Sequence, residues 1–287
     1  MTRNHNTTSE SPEPKSSSPG FGVELFNHIK TSIIATLVLG LIVSGVYPLI
    51  VWSIAQVVFT NKANGSLLNK DGQPAAKDAD AVGSALIGQN FSAIQYFHPR
   101  PSAAGNGYDA TASGGSNLGP TSAKLMFGTT KKDDKGAEVV DYDGIADRVI
   151  RYCEENAIEY SASIPKSEFH DAGGINDVKL ITAFNASATP PIIQPATAIP
   201  ADAVTASASG LDPHISPANA TLQAARVSDA RKVPVEKVKA LIAQCTDAPS
   251  LGILGDAGVN VLRLNLALDK AMPMAVATAA PAPATQP

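Results

Sequence analysis

"TSIIATLVLGLIVSGVYPLIVWSIAQVVFTN", residues 31–61, contains no Asp, Glu, Lys or Arg and is dominated by Ile, Leu, Val, Ala and Gly. At about 1.5 Å per residue, a helix over this run exceeds the roughly 30 Å hydrocarbon core of a bilayer even when tilted. One transmembrane helix over 31–61 is the expectation. A cleavable signal peptide would carry an apolar region of about 7 to 15 residues behind a clearly basic start. Here the run is far longer, and Glu10, Glu13 and Glu24 lie in its lead. Pro48 inside the span predicts a kink, tolerable where neighbouring protein satisfies the freed backbone groups. Gly40, Ser44 and Gly45 are small enough to let another helix approach closely, which makes Gly40, Ser44 and Pro48 candidate partner contacts. Trp52, Tyr47 and Phe59 suit the interfacial aromatic belt, with Tyr47 rather deep for it.

The flanks differ from the span in kind. Residues 1–30 begin "MTRNHNTTSESPEPKSSSPG", too poor in large apolar side chains to offset the entropy of ordering, and read as a disordered cytoplasmic tail. The end of the chain, 271–287, reads as a second disordered tail, and "ATPPIIQPATAIPADA" at 188–203 as an extended Pro-rich insertion. Arg3, Lys15 and Lys30 precede the span while Lys62, Lys70 and Lys77 follow it, so the positive-inside count is nearly balanced. A short N-terminal tail with a large C-terminal domain fits a signal anchor, and the expectation is a domain outside the cytoplasm. A net charge of −4 without a basic cluster, and only 5% aromatic residues, argue against a nucleic-acid partner. Cys153 and Cys245 lack zinc or redox spacing and read as buried thiols, or as a disulfide if the domain lies in an oxidising compartment.

The region 62–270 reads as one α+β domain. "GSALIGQNF" (83–91) suggests a strand with Gly83 and Gly88 at its ends, and "RVIRYCEENAIEY" places Val149, Ile150, Cys153 and Ala157 at helical spacing. Ser216 is an N-cap candidate with Pro217 at the first helical position, and Pro234 repeats the device, so two helices joined by a tight turn are expected. In "VNVLRLNLAL" the alternation of Leu262, Leu264, Leu266 and Leu268 suggests a half-covered strand.

Catalytic motifs are weak. "ASGGSN" (112–117) has neither the lysine nor the metal-binding Ser or Thr of a P-loop, and Ser113 precedes the glycines instead of sitting in a nucleophile elbow. His98 lies between Phe97 and Pro99, and His170 and His214 are distant with no HExxH-like pair. A loop or packing role fits His98, with a site role as the alternative, and with Arg100 it is a candidate partner contact. Arg100, between Pro99 and Pro101, is held on a stiff backbone that suits docking to a partner's carboxylate. Asp109 and Asp212 read as turn residues before general acids.

Taken together, "ANGSLL" (63–68), "GSALIGQNF" (83–91), "YFHPRPSA" (96–103), "ASGGSN" (112–117), "VTASASGLDPHISPANA" (204–220) and "VNVLRLNLALDK" (259–270) resemble the C subunit of the bacterial Kdp potassium-importing P-type ATPase. The likeness runs from Ile33 to Lys270 in order. It implies an accessory subunit in the bacterial inner membrane, with one helix in the bilayer and a periplasmic domain. The implied partners are a channel-like potassium subunit, a P-type ATP-hydrolysing subunit and a further small membrane peptide. The resemblance implies no catalysis by this chain alone and no cofactor of its own, ATP entering through the partner subunit. The chain departs from the family pattern in its tails, in "TTKKDDKGAEVVDYD" (129–143) and in the Pro-rich stretch before Val204. The family is also described as a catalytic chaperone that raises nucleotide affinity of its ATP-hydrolysing partner, for which Gln89, Ser113, Gly114 and Gly115 are the nucleotide candidates. A domain across the membrane from the ATP site would act allosterically instead. The alternatives are a membrane-anchored exported hydrolase using His98 and Ser113, and a solute-binding domain.

Overall fold

The computed structural model describes residues 20–187, 189 and 191–274, and divides into two units, 1–63 and 64–287. The disorder expected for residues 1–19 and 275–287 lies outside the described residues.

The first unit is helical. Helix α1 (Phe21–Leu41) continues through a π-helical turn, Ile42–Val46, into α2 (Tyr47–Val58), and a short α3 (Thr60–Ala63) follows. The helix begins well before the expected Thr31, so 21–30 is not a disordered tail. Ten residues that include Phe21, Val23, Leu25, Phe26 and Ile29 are apolar enough to extend the helix once it has been nucleated. From Phe21 to Val58 it is long and apolar enough to cross a membrane. Pro48 has no N–H to give to Ser44, and the turn before it widens: the Tyr47 N–H reaches back five residues to the Ile42 carbonyl. A π-turn is a common accommodation of such a break.

The second unit is α+β, with short antiparallel strands and helices around two larger hydrophobic clusters and one small one. It opens with the hairpin β1 (Leu67–Asn69) and β2 (Ala81–Ser84). The expected strand over 83–91 ends at Ser84, where the chain turns: the Leu86 N–H donates to the Ser84 hydroxyl at 3.1 Å and the Ile87 N–H to the Ser84 carbonyl at 3.4 Å. A long irregular stretch leads to α4 (Ala123–Phe127), and "TTKKDDKGAEVVDYD" forms the hairpin β3 (Thr129–Lys132) and β4 (Glu138–Tyr142).

Next come α5 (Ile145–Glu155), β5 (Tyr160–Ala162), α6 (Lys166–Phe169), the tiny hairpin β6 (His170–Asp171) and β7 (Gly174–Ile175), α7 (Asp177–Ala186) and β8 (Ile193–Pro195). Ile150, Phe169, Leu180 and Phe184 form the core of this half. Ala157, expected on the helical face, lies beyond the end of α5 in the left-handed region with φ 53°. Residues 191–203 of the Pro-rich stretch carry extended and 3-10 structure tied to the rest of the domain. β8 pairs with β5, and Asp202 accepts hydrogen bonds from the Ser216 N–H, the Ser216 hydroxyl and Asn219 Nδ2 at the start of the next helix.

The C-terminal half holds β9 (His214–Ile215), α8 (Pro217–Arg231), α9 (Val235–Gln244), β10 (Thr246–Asp247), β11 (Gly258–Asn260) and α10 (Val261–Ala271). The strands form a three-stranded antiparallel sheet with β11 in the middle. Ser216 caps α8 by accepting from the Asn219 N–H, with Pro217 at the first helical position, as the sequence suggests. Pro234 sits one position earlier than expected, at the N-cap of α9. The strand expected over "VNVLRLNLAL" is a strand only as far as Asn260. Asn260 caps α10 by accepting from the Arg263 N–H, and Val261, Leu264 and Leu268 point into the core. The alternating leucines also satisfy a helical stripe once Asn265 is counted as a core position, and Asn265 is 1% exposed.

Candidate functional site

The segment Ile94–His98 belongs to no strand, and so its backbone needs partners of another kind. Side chains from α8 and α10 supply them. Asn265 accepts from the Phe97 N–H at 2.9 Å and donates to the Phe97 carbonyl at 3.0 Å. Gln223 does the same for His98, accepting at 2.7 Å and donating at 3.1 Å. Arg226 donates to the Ile94 and Tyr96 carbonyls at 2.6 and 3.0 Å, and Arg231 to the Gln95 carbonyl at 2.9 Å. Each carbonyl from Ile94 to His98 thereby accepts a hydrogen bond from a side chain. The anchor is Phe97, fully buried among Ile215, Val227, Val259 and Leu264.

One ion pair and further side-chain hydrogen bonds complete the grip. The Arg231 side chain, buried, also donates to Asp269 at 2.7 Å and to the Met272 carbonyl at 2.9 Å, and its guanidinium lies 5.0 Å from the centre of the Tyr96 ring. Tyr96 in turn donates to Asp269, and burial followed by that bond raises its phenol pKa. Arg226 donates to Gln223 and to Asn156, and burial lowers its pKa.

Beside this segment a polar cavity of about 370 Å³ is lined by His98, Arg100, Tyr108, Arg148, Glu155 and Gln223, among others. Its charges are compensated within the domain. Arg148 makes a two-point pair with Asp143, both bonds at 2.8 Å. Arg100 meets Asp212 at 3.0 Å and the Thr205 and Ala206 carbonyls at 3.4 Å, so the carboxylate it docks to is the chain's own. Burial pulls the Asp212 carboxyl upward, but bonds from His214 and the charge of Arg100 outweigh it and the net pKa is lowered. His98 Nδ1 lies 3.4 Å from Glu155 and Nε2 3.2 Å from the Ala93 carbonyl. The bond from His98 holds the Glu155 carboxyl below its ordinary value. Tyr108 donates to the Arg100 carbonyl, and burial raises the phenols of Tyr108 and Tyr152 well above the ordinary range.

Close by, Asp147 on α5 is 1% exposed and its Oδ1 has no hydrogen-bond partner among the described residues. Burial pushes its pKa up to about 6 against the opposing charge of Arg151. A buried carboxylate with one unmatched oxygen is a local cost to the fold.

The nucleotide candidates lie elsewhere. The Ser113 hydroxyl and the Gly114 N–H both donate to the Ser209 carbonyl, at 3.0 and 2.9 Å. Gly115 packs on Ala208, whose carbonyl would stand 3.0 Å from an added Cβ. Gln89 donates to the Val82 carbonyl at 2.9 Å, and its amide lies over Gly83, where a Cβ would come within 2.2 Å of it. His98 and Ser113 therefore hydrogen-bond to different groups, and Gln89 to a third. Gly40, Ser44 and Pro48 lie four residues apart on the membrane helix, exposed, with nothing within 4 Å of a Cβ added at Gly40. Cys153 and Cys245 are free thiols and not a disulfide; burial raises the pKa of both, that of Cys153 to about 11.

Blocks far apart in the sequence meet here. Gly210, at φ 66°, lets "SASG" pass so close to Ala104 and Gly114 that a Cβ would meet both at 2.7 Å, and Ser102 donates to its carbonyl at 2.6 Å. The Gly88 N–H donates to the Leu211 carbonyl at 2.8 Å, and Asn260 Nδ2 to the Ala85 carbonyl at 2.8 Å. "GSALIGQNF", "YFHPRPSA", "ASGGSN", "VTASASGLD" and "VNVLRLNLALDK" thus form one contiguous packed region.

The family model of the K+-transporting ATPase c chain, KdpC, matches residues 29–147 and 174–270, more than half of the chain. This chain belongs to the KdpC family. It is similar to the potassium-transporting ATPase KdpC subunit of Mycobacterium tuberculosis strain H37Rv, 43% identical over 82% of this chain and 93% of that protein. The KdpC subunit of Gemmatimonas aurantiaca is 41% identical over 85% of this chain and 94% of its own length. That of Acidobacterium capsulatum is 38% identical over 85% and 98%. The KdpC match covers both units, and it leaves out Arg148–Gly173, which holds most of α5 together with β5 and α6.

Gln223, Arg226, Arg231, Asn260 and Asn265 do not stand out in the linear sequence of this KdpC-family chain. Their signal is a polar residue at a core position of a helix: Ala220, Gln223, Ala224, Val227 and Arg231 follow one buried face of α8. Reading that face requires the helix to be known first.

Proposed function

We propose that the chain is an accessory subunit of an ATP-driven potassium importer, holding the assembly together from the outer face of the bacterial inner membrane and assisting the ATP-hydrolysing subunit. Its partners in this reading are a channel-like potassium subunit, the P-type subunit and a small membrane peptide. The observation that carries it is the helix Phe21–Val58, a single candidate span among the described residues, with no buried side chain. One helix does not enclose a pore, whereas its small-residue face at Gly40 and Ser44 suits close approach of another helix. Direct nucleotide contact is not part of this reading. The Gly114 N–H that a phosphate would need is committed to Ser209, so any effect on ATP affinity travels through the membrane helices as a coupling between sites.

Gly40→Leu with Ser44→Leu keeps the span apolar enough to insert. Potassium-limited growth and co-purification with the two large subunits are measured together on this variant, and both should be lost. Survival of both, with loss only on deletion beyond Asn64, would reduce the helix to a tether. Orientation is tested by a reporter active only in the cytoplasm, fused after Lys270. It should be silent, and a strong signal would reverse the proposed topology. Calorimetry of the full chain with ATP should show no low-micromolar binding; such binding, abolished by changing Gly114 and Gly115, would restore direct contact.

A further inference from the structure

Between β10 and β11 a loop holds apolar side chains out to water. Leu251 is 88% exposed, Ile253 83% and Leu254 57%, and the first two exceed every other large apolar residue described in the domain. The loop is a built turn. Ser250 and Leu254 exchange both backbone hydrogen bonds at 2.9 Å, and the Gly252 N–H donates to the Pro249 carbonyl at 2.9 Å. Leu251 adopts φ 55°, a left-handed conformation that a leucine keeps only where its surroundings fix it. A fixed turn presenting three apolar side chains is a surface shaped to be covered.

The charge around it selects the occupant. No Lys or Arg lies between Cys245 and Arg263, while Asp247 and Asp256 flank the tip, both exposed. Loops that enter a lipid surface are normally bordered by basic residues that meet anionic headgroups, which this loop lacks. A second copy docked symmetrically on the same loop would bring acidic flanks against acidic flanks. An apolar recess with a basic rim on another protein matches both the tip and its border.

We propose that the Ser250–Leu254 turn inserts into an apolar recess rimmed by Lys or Arg on another subunit of the transporter. This rests on the assembly role given above and adds the surface that performs it. The test uses the full chain co-expressed with the other subunits and purified in mild detergent. A photo-crosslinker is placed by Ile253→p-benzoylphenylalanine, and adducts are mapped by mass spectrometry. The expected adduct is with another subunit, beside a Lys or Arg. Leu251→Ser, Ile253→Ser and Leu254→Ser together should weaken retention of the chain about tenfold or more, the scale of losing a central anchor. Asp247→Lys with Asp256→Lys leaves the tip intact and should slow association at low salt. An adduct only with lipid or with a second copy, no adduct, or wild-type retention of both sets of variants overturns the proposal while leaving the assembly role intact. Failure of the unmodified chain to co-purify overturns both.

Discussion

The membrane helix and the segment Ile94–His98 answer the same question in opposite ways. Each must satisfy its backbone N–H and carbonyl groups away from a sheet. The helix does so within itself, and the π-turn at Ile42–Val46 preserves this even where Pro48 removes a donor. None of its side chains is buried from Phe21 to Val58. The segment 94–98 makes no ladder of its own and takes its backbone partners from Gln223, Arg226, Arg231 and Asn265. The segment's partners are already inside its own domain, whereas in the assembly role proposed above the small-residue face of the helix is met by other subunits. Substitutions on the helix should change what the chain binds, whereas substitutions around the segment should change whether the domain folds.

Arg231→Ala gives the strongest test of that division. It strands the Gln95 and Met272 carbonyls and leaves the half-exposed Asp269 with the Tyr96 hydroxyl alone, and should cost about 2–4 kcal/mol of domain stability in thermal unfolding of the full chain in detergent. Wild-type melting of this variant would show that the segment is held by something other than its side-chain grip. Asn265→Ala and Gln223→Ala should each cost about 2–3 kcal/mol, since each leaves a donor and an acceptor of one residue without partners. Gln223 and Arg226 hydrogen-bond to each other, so the double variant Gln223→Ala, Arg226→Ala should fall short of additivity, measured as a double-mutant cycle.

Asp147→Asn should act in the other direction. Its folded pKa of about 6 lies above the ordinary carboxylate value, so the folded state binds the proton more tightly than the unfolded state. Wild-type stability from this group is present at low pH and falls as pH rises toward and through about 6. The Asn variant should be more stable than wild type by about 1–3 kcal/mol above pH 7, and the gain should shrink toward zero near pH 4. An equal gain at both pH values would assign the effect to packing instead of charge. Glu155→Gln tests the depressed carboxyl: its stabilisation is present above the unfolded pKa and lost as pH falls through the folded one. Because Glu155 is half exposed, the loss should stay below about 1 kcal/mol at neutral pH and vanish in acid.

The smallest change in stability is expected on the helix. Gly40→Leu with Ser44→Leu should move the melting of the domain by less than about 0.5 kcal/mol while removing the partner subunits. A domain destabilised by these two substitutions would break the comparison, because it would show that the span has partners inside its own chain.

The sequence by itself determined what local chemistry dictates. An uncharged run across 31–61 fixes a membrane-length helix, Ser216 followed by Pro217 fixes the start of α8, and the quoted blocks fix the family resemblance. Tertiary structure decided the rest. "VNVLRLNLAL" satisfies a strand period through its leucines and a helix period only if Asn265 counts as core, and that residue becomes a core residue because Phe97 offers it both backbone groups. The strand pattern of "GSALIGQNF" yields to a turn closed on Ser84, after which the Gly88 N–H bonds the Leu211 carbonyl, more than a hundred residues away. Arg100 points toward an outside partner in the linear sequence and toward Asp212 in the fold. A periodicity or a lone charge states what a residue is able to satisfy, and only the arrival of distant groups settles which partner it takes.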